Sequence, residues 1–217
     1  MAQETSSKGK LRELIRHRLD GSRPAPADCV SVPGTRGDLP YQLRRMVPKR
    51  LTPAAVLITL VDHNDGLSVI LTKRAEHLKH HAGQISFPGG RQEQSDDGPA
   101  AAALRETFEE IGLKDDRIEI LGYLDNYLTI TGYSVTPVVG VVRPGFVLDI
   151  DQTEVAEAFE VPLAYLFDKN NALRREKRFM GVRVPYYEIP YRRHNIWGAT
   201  AGMLVSFRMR IFEEESS

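Results

Sequence analysis

The chain has 217 residues, of which 41% are hydrophobic and 27% charged, a composition that suits one soluble globular domain with at most a short appendage. Its 29 lysines and arginines balance its 29 aspartates and glutamates, which argues against a generally basic nucleic-acid binder and leaves room only for a local basic patch. A single cysteine, Cys29, excludes a disulfide framework within the chain and fits a reducing compartment.

In chain order, the first eight residues are polar, and MAQETSSKGK has no apolar core behind its charges, so no secretory signal is expected. No apolar run approaches the roughly 18–20 residues of a membrane span, and the expected location is cytoplasmic. Leu11, Leu14, Ile15 and Leu19 recur at helical spacing and predict a short amphipathic helix. Residues 21–40 hold four prolines and read as an irregular arm. The expected organisation is a helix and arm over 1–50, a core domain over 51–212 and an acidic tail over 213–217. The arm packs either on its own domain or on a second copy, and a homodimer is the favoured expectation.

The core opens with Ala54 to Val61, a nearly continuous apolar run that predicts a buried strand. The turn Asp62-His63-Asn64-Asp65-Gly66 and the run Leu67 to Thr72 complete a hairpin. Gln84 to Phe87 predicts a short strand ending at Pro88-Gly89-Gly90. Pro99 to Ile111 predicts a helix, with proline at its start, an alanine-rich body and Gly112 at its stop. Strands are expected over 118–127, 133–142 and 183–190, and helices over 154–167 and 201–211. Strands and helices mix without a regular βαβ rhythm, which points to an α+β or mixed-sheet sandwich.

The chemistry concentrates on the helix at 99–111. Glu106 and Glu110 stand at i and i+4, and Glu106 and Glu109 at i and i+3, so all three carboxylates project from one side. Three like charges this close repel unless something compensates them. A hard divalent cation does so, because Mg²⁺ and Mn²⁺ prefer oxygen ligands. Arg105 can offset part of the charge by holding a carboxylate bidentately. A solvated charged face is the usual meaning of such a run on a helix. Here the helix is preceded by Gly89-Gly90, which lets the backbone bend and approach a ligand, and followed by Gly112-Leu113.

Gly90 to Leu113 (GRQEQSDDGPAAAALRETFEEIGL) resembles the Nudix box, G-x5-E-x7-R-E-U-x-E-E-x-G-U, where U is apolar. Arg105-Glu106, Glu109-Glu110, Gly112 and Leu113 match. Thr107 stands for the first U, Asp96 for the early Glu, and the spacing from Asp96 to Arg105 is one residue longer, an insertion a loop can absorb. The resemblance implies the Nudix fold, an α/β/α sandwich around a mixed β-sheet, and attack of water on a diphosphate phosphorus with Mg²⁺ or Mn²⁺ as cofactor. It implies that Glu106, Glu109, Glu110 and the carbonyl of Gly89 bind metal and that Arg105 orients the carboxylates. The general base it implies is Glu106 or a glutamate from a later loop, for which Glu154 is the candidate. The alternative for Glu154 is a charge at a helix N-terminus, favoured by the dipole.

The segment before the box, LTKRAEHLKHHAGQISFPGG (Leu71 to Gly90), resembles the motif of the coenzyme A diphosphatase branch, L-L-T-x-R-[SA]-x-x-L-R-x-H-x-G-x-V-x-F-P-G-G. Leu71, Thr72, Arg74, Ala75, Leu78, His81, Gly83 and Phe87 to Gly90 match, Ile70, Lys79 and Ile85 replace the first Leu, the Arg and the Val, and Asn195 to Ala201 also resembles that branch. This resemblance implies hydrolysis of coenzyme A or an acyl-CoA to 3′,5′-ADP and a 4′-phosphopantetheine product. Coenzyme A carries a 3′-phosphate besides its diphosphate, so its site needs cations. Lys73, Arg74, Lys79, His80 and His81 supply a basic cluster, and Arg suits phosphate bidentately. Arg74, Lys79, His81 and Gly90 are the expected substrate contacts, with Arg74 expected to read the 3′-phosphate. For any one of these residues, a purely structural role is the simpler account. The alternatives are a Nudix enzyme acting on ADP-ribose, a dinucleoside polyphosphate or a nucleoside triphosphate, and a non-catalytic Nudix module. The intact box carboxylates argue against the module. Nucleic acid and membrane are not expected partners.

Overall fold

The structure is a computed structural model and describes residues 2–31, 48, 50–129, 131–179 and 182–212. Residues 32–47 of the expected arm and the acidic tail at 213–217 lie outside the described residues.

The apolar run after Thr52 becomes the long strand β2 (Thr52–His63), for which a turn at Asn64-Asp65 brings back β3 (Gly66–Arg74) antiparallel. Ahead of them stand α1 (Ala2–Leu19) and the two-residue β1 (Val30–Ser31). After them come β4 (Ile85–Ser86), β5 (Gly89–Arg91) and α2 (Gly98–Ile111). Then follow β6 (Ile118–Tyr123), β7 (Asn126–Leu128), β8 (Tyr133–Val142), β9 (Val155–Pro162) and the short α3 (Leu163–Phe167). The chain continues with β10 (Leu173–Phe179), β11 (Val182–Tyr191), β12 (His194–Trp197) and α4 (Ala199–Phe212).

β8 runs parallel to β2 from Thr52↔Tyr133 to Val61↔Val142, while β5 lies antiparallel on the first part of β2. β3 carries β9 along its length, and β6 and β7 flank β8. The sheet is therefore mixed, with β10–β12 forming a separate antiparallel sheet. Alternation along β2 sorts its side chains between two cores, as a period of two requires. Ala55, Leu57 and Val61 pack with Ala102, Ala103 and Ile111 of α2. Ala54, Ile58 and Leu60 belong to the opposite core, with Ile15 and Leu19 of α1 and Leu204, Phe207 and Ile211 of α4. The result is a helix–sheet–helix sandwich. Helix α1 is built into this second core, and Arg12 pairs with Asp62 at 2.5 Å while Arg16 pairs with Glu119.

One expected element is different. Residues 155–162 are strand, and helix is confined to Leu163–Phe167. The edge of β3 supplies a ladder from Ser68↔Pro162 to Lys73↔Glu157, resuming at Arg74↔Val155 after a register shift, and this tertiary pairing outweighs the local helical leaning of Ala156-Glu157-Ala158. Glu154 accordingly sits in a turn before a strand, not at a helix N-terminus. No helix among the described residues is long and apolar enough to cross a membrane.

Candidate active site

Two elements meet at the site. β5 brings Gly89 and Gly90 onto β2, and α2 lies across them. Pro99 starts α2, and Gly112 ends it in the left-handed region (φ 67°), donating its N–H to the Phe108 carbonyl at 2.8 Å. Thr107, the polar residue at an apolar position of the pattern, is fully buried and donates its hydroxyl to the Ala103 carbonyl at 2.6 Å, so no polar group is left unpaired there.

Arg105 organises the acidic face. Its Nε and Nη2 donate to the two oxygens of Asp96, each at 3.0 Å. Its Nη1 donates to Glu106 and to Glu109, each at 3.0 Å, and Nη2 also reaches the Arg91 carbonyl at 3.1 Å. All five guanidinium donors are thus engaged, and the fork locks one edge of the carboxylate cluster to the loop before α2. The Arg105 guanidinium also holds the Asp96 carboxyl below its ordinary range, with the Glu93 N–H adding to the effect. Aspartate here is one methylene shorter than the glutamate of the pattern it resembles, and the loop that is one residue longer still lets it meet Arg105.

The three glutamates differ in environment. Glu109 is largely exposed, Glu106 is partly buried, and Glu110 is 3% exposed. Burial pushes the Glu110 carboxyl up to about 8, against the charge of Arg74 and a hydrogen bond from the Gly89 N–H, while Glu106 and Glu154 raise it further. Its Oε2 is buried with no partner. Burial also raises Glu106, partly offset by Arg105, and Glu109 and Glu154 add to the rise. Glu154, far away in sequence, is therefore close enough to act on both.

The glycines have separate reasons. A Cβ at Gly90 would lie 2.5 Å from the Glu106 carboxylate, so the bare backbone makes the space in which that carboxylate sits. Gly89 has φ 150°, and a Cβ there would meet the Ala55 carbonyl oxygen at 2.4 Å. The structure thus shows the Gly89 N–H turned to Glu110, whereas the resemblance implied a role for its carbonyl.

The basic cluster before the box is divided. Lys73 pairs with Glu76 at 2.8 Å. The register of β3 against β9 shifts between Lys73 and Arg74, and the charge of Arg74 acts on Glu110. Lys79, His80 and His81 are exposed on the loop after β3, where His81 adopts φ 58° and shares a 2.9 Å hydrogen bond with Gln84. Among the described residues no hydrogen bond or ion pair ties Lys79 or His81 to the carboxylates. Asp151, which sequence reasoning passed over, caps α2 by donating its N–H to the Glu110 carbonyl at 3.0 Å. Its signal was Asp151-Gln152-Thr153, where the side chain accepts from the Thr153 N–H and hydroxyl at 2.9 and 2.7 Å.

The donor set suits a hard cation: carboxylate oxygens, one of them buried and unpartnered, beside an approachable backbone. Among the described residues no three His, Cys, Asp or Glu side chains converge as tightly as the ligands of one ion, and Glu106 and Glu109 are both held by Arg105.

A family model described as the NUDIX domain matches residues 51–181. A protein of Enterobacter sp. (strain 638), named "Uncharacterized Nudix hydrolase NudL", is 38% identical over 160 residues, which is 73% of this chain and 82% of that protein. Its namesake in Escherichia coli (strain K12) is 37% identical over the same shares of the two chains. Among solved structures, a Nudix hydrolase from M. smegmatis, RenU, is 23% identical with a TM-score of 0.46, covering 54% of this chain and 74% of that one.

Proposed function

The chain belongs to the Nudix hydrolase family, and from that premise we propose that it hydrolyses the diphosphate linkage of coenzyme A or an acyl-CoA, releasing 3′,5′-ADP and 4′-phosphopantetheine or its acyl derivative. The family assignment carries the coarser statement, a pyrophosphatase acting on a small nucleotide derivative. The observation that carries the coenzyme A assignment is the segment Leu71 to Gly90, whose residues lead straight into the carboxylate site through Arg74, Gly89 and Gly90.

In this proposal Glu106, Glu109 and Glu110 hold Mg²⁺ or Mn²⁺, with the buried Oε2 of Glu110 as the least solvated donor. Bound there, the cation supplies Lewis-acid polarisation of the phosphoryl oxygens and neutralises leaving-group charge. Arg105 does not touch substrate; it keeps Glu106 and Glu109 in place. Glu154 is the general base. Glu106 is already engaged by Arg105, whereas nothing among the described residues donates a hydrogen bond to the Glu154 carboxylate. A free, exposed carboxylate beside the cluster is available to take the proton of the attacking water. Arg74, whose charge faces Glu110, serves the diphosphate that is cut, and the exposed Lys79 and His81 are left for the 3′-phosphate. This differs from the sequence expectation that Arg74 reads the 3′-phosphate.

The test is product analysis after incubation with coenzyme A, ADP-ribose and a dinucleoside polyphosphate, with Mg²⁺ and Mn²⁺ in turn. Release of 3′,5′-ADP from coenzyme A as the fastest reaction supports the proposal. Faster cleavage of another substrate removes the coenzyme A assignment and keeps the enzyme.

A further inference from the structure

Glu154 carries its proposed role from a turn, and turns hold a side chain only as well as their own backbone is held. On one side the turn is fastened to the catalytic helix. Asp151 donates its N–H to the Glu110 carbonyl at 3.0 Å, its carboxylate accepts from Thr153, and its carbonyl accepts from the N–H groups of Glu154 and Val155 at 3.0 and 2.9 Å. On the other side the turn is fastened to the loop that follows β3. The Ala75 N–H donates to the Glu154 carbonyl at 2.8 Å, and His77 Nε2 lies 3.0 Å from the Thr153 carbonyl. A carbonyl only accepts, so His77 is the donor through Nε2–H. The bond therefore requires the ring proton on Nε2. Among the described residues it is the one side-chain hydrogen bond between that loop and the turn.

We infer that His77 is a positioning residue for Glu154: its Nε2–H holds the Thr153 carbonyl and thereby fixes the backbone that carries the neighbouring Glu154 carboxylate. This role rests on Glu154 acting as the base.

The experiment compares kcat and KM of wild type, His77→Ala, His77→Gln, Glu154→Gln and the double variant His77→Ala/Glu154→Gln. The substrate is whichever one product analysis shows to be cleaved fastest, at saturating Mg²⁺, with a thermal melt of each protein. A displacement of the base should lower kcat about tenfold in His77→Ala with KM within about twofold, because misplacing a reacting group acts on the chemical step. Gln keeps a donor near the Nε2 position and should restore most of the loss. In the Glu154→Gln background His77→Ala should add nothing, since the group it positions is gone. Full kcat in His77→Ala beside an impaired Glu154→Gln overturns the positioning role alone. An equal loss from His77→Ala in both backgrounds also overturns it, as a merely structural effect would be independent of Glu154. Full activity in Glu154→Gln removes the base assignment itself, and this role with it.

Discussion

Two adjacent glycines should respond to the same added methyl group in different ways. At Gly90 the new Cβ lies 2.5 Å from Cδ and both oxygens of Glu106, where ordinary contact needs about 3.5 Å. The obstacle is the end of a side chain, so the fold is kept and Glu106 retreats by about 1 Å. A shift of that size in a group that must be placed for the reaction costs about 10²-fold in rate. Stability should change by no more than about 1.5 kcal/mol, the usual range for a side chain that can move aside. At Gly89 the Cβ meets the Ala55 carbonyl oxygen at 2.4 Å and the Val56 Cα at 2.6 Å, and φ is 150°. Neither backbone atom can yield without breaking the β2–β5 pairing, so Gly89→Ala should lose about 3 kcal/mol or more together with activity. Urea unfolding and steady-state kinetics on both variants separate the cases. Gly90→Ala with full kcat, or Gly89→Ala as stable as wild type, would refute the reasoning about which atoms line this space.

Further outcomes follow from the same geometry. The raised Glu110 carboxyl implies that the protein in EDTA is stabilised below the unfolded pKa near 4.5 and loses that stability as pH rises toward about 8, because the folded state keeps a proton that the unfolded state releases. The loss, at roughly 1.4 kcal/mol per unit discounted for relaxation, should reach about 3 kcal/mol, and Glu110→Gln should flatten it while abolishing most turnover. Denaturant titrations at pH 5 and pH 8 check this, and equal slopes for the two proteins would remove the buried-carboxylate account. Arg105→Lys gives up the bidentate grip on the Asp96 carboxylate, a side chain with little exposure, and should cost about 2–4 kcal/mol by urea unfolding; a change within about 0.5 kcal/mol would mean the fork is dispensable. Arg74→Ala should slow coenzyme A and dephospho-coenzyme A alike, whereas Lys79→Ala should weaken coenzyme A selectively. A selective loss in Arg74→Ala would return the 3′-phosphate to that residue.

Much of the molecule can be read locally. The β2–β3 hairpin follows from two apolar runs around Asn64-Asp65, and α2 from Pro99, its alanines and Gly112. The acidic face at Glu106, Glu109 and Glu110 follows from helical spacing alone. These features depend on residues within a turn or two of one another, which is the range over which propensity, capping and periodicity act. Tertiary structure decided what depends on distant partners. Residues 155–162 became strand because the β3 edge lay open to them, and Glu154 thereby came beside a helix more than forty positions earlier in the sequence. The division of the cations between Lys73, bound to Glu76, and Arg74, whose charge acts on Glu110, depends on partners that lie on other elements or later in the loop. The different burial of three chemically identical glutamates likewise depends on which side of α2 meets β5, and burial rather than sequence separates their charges.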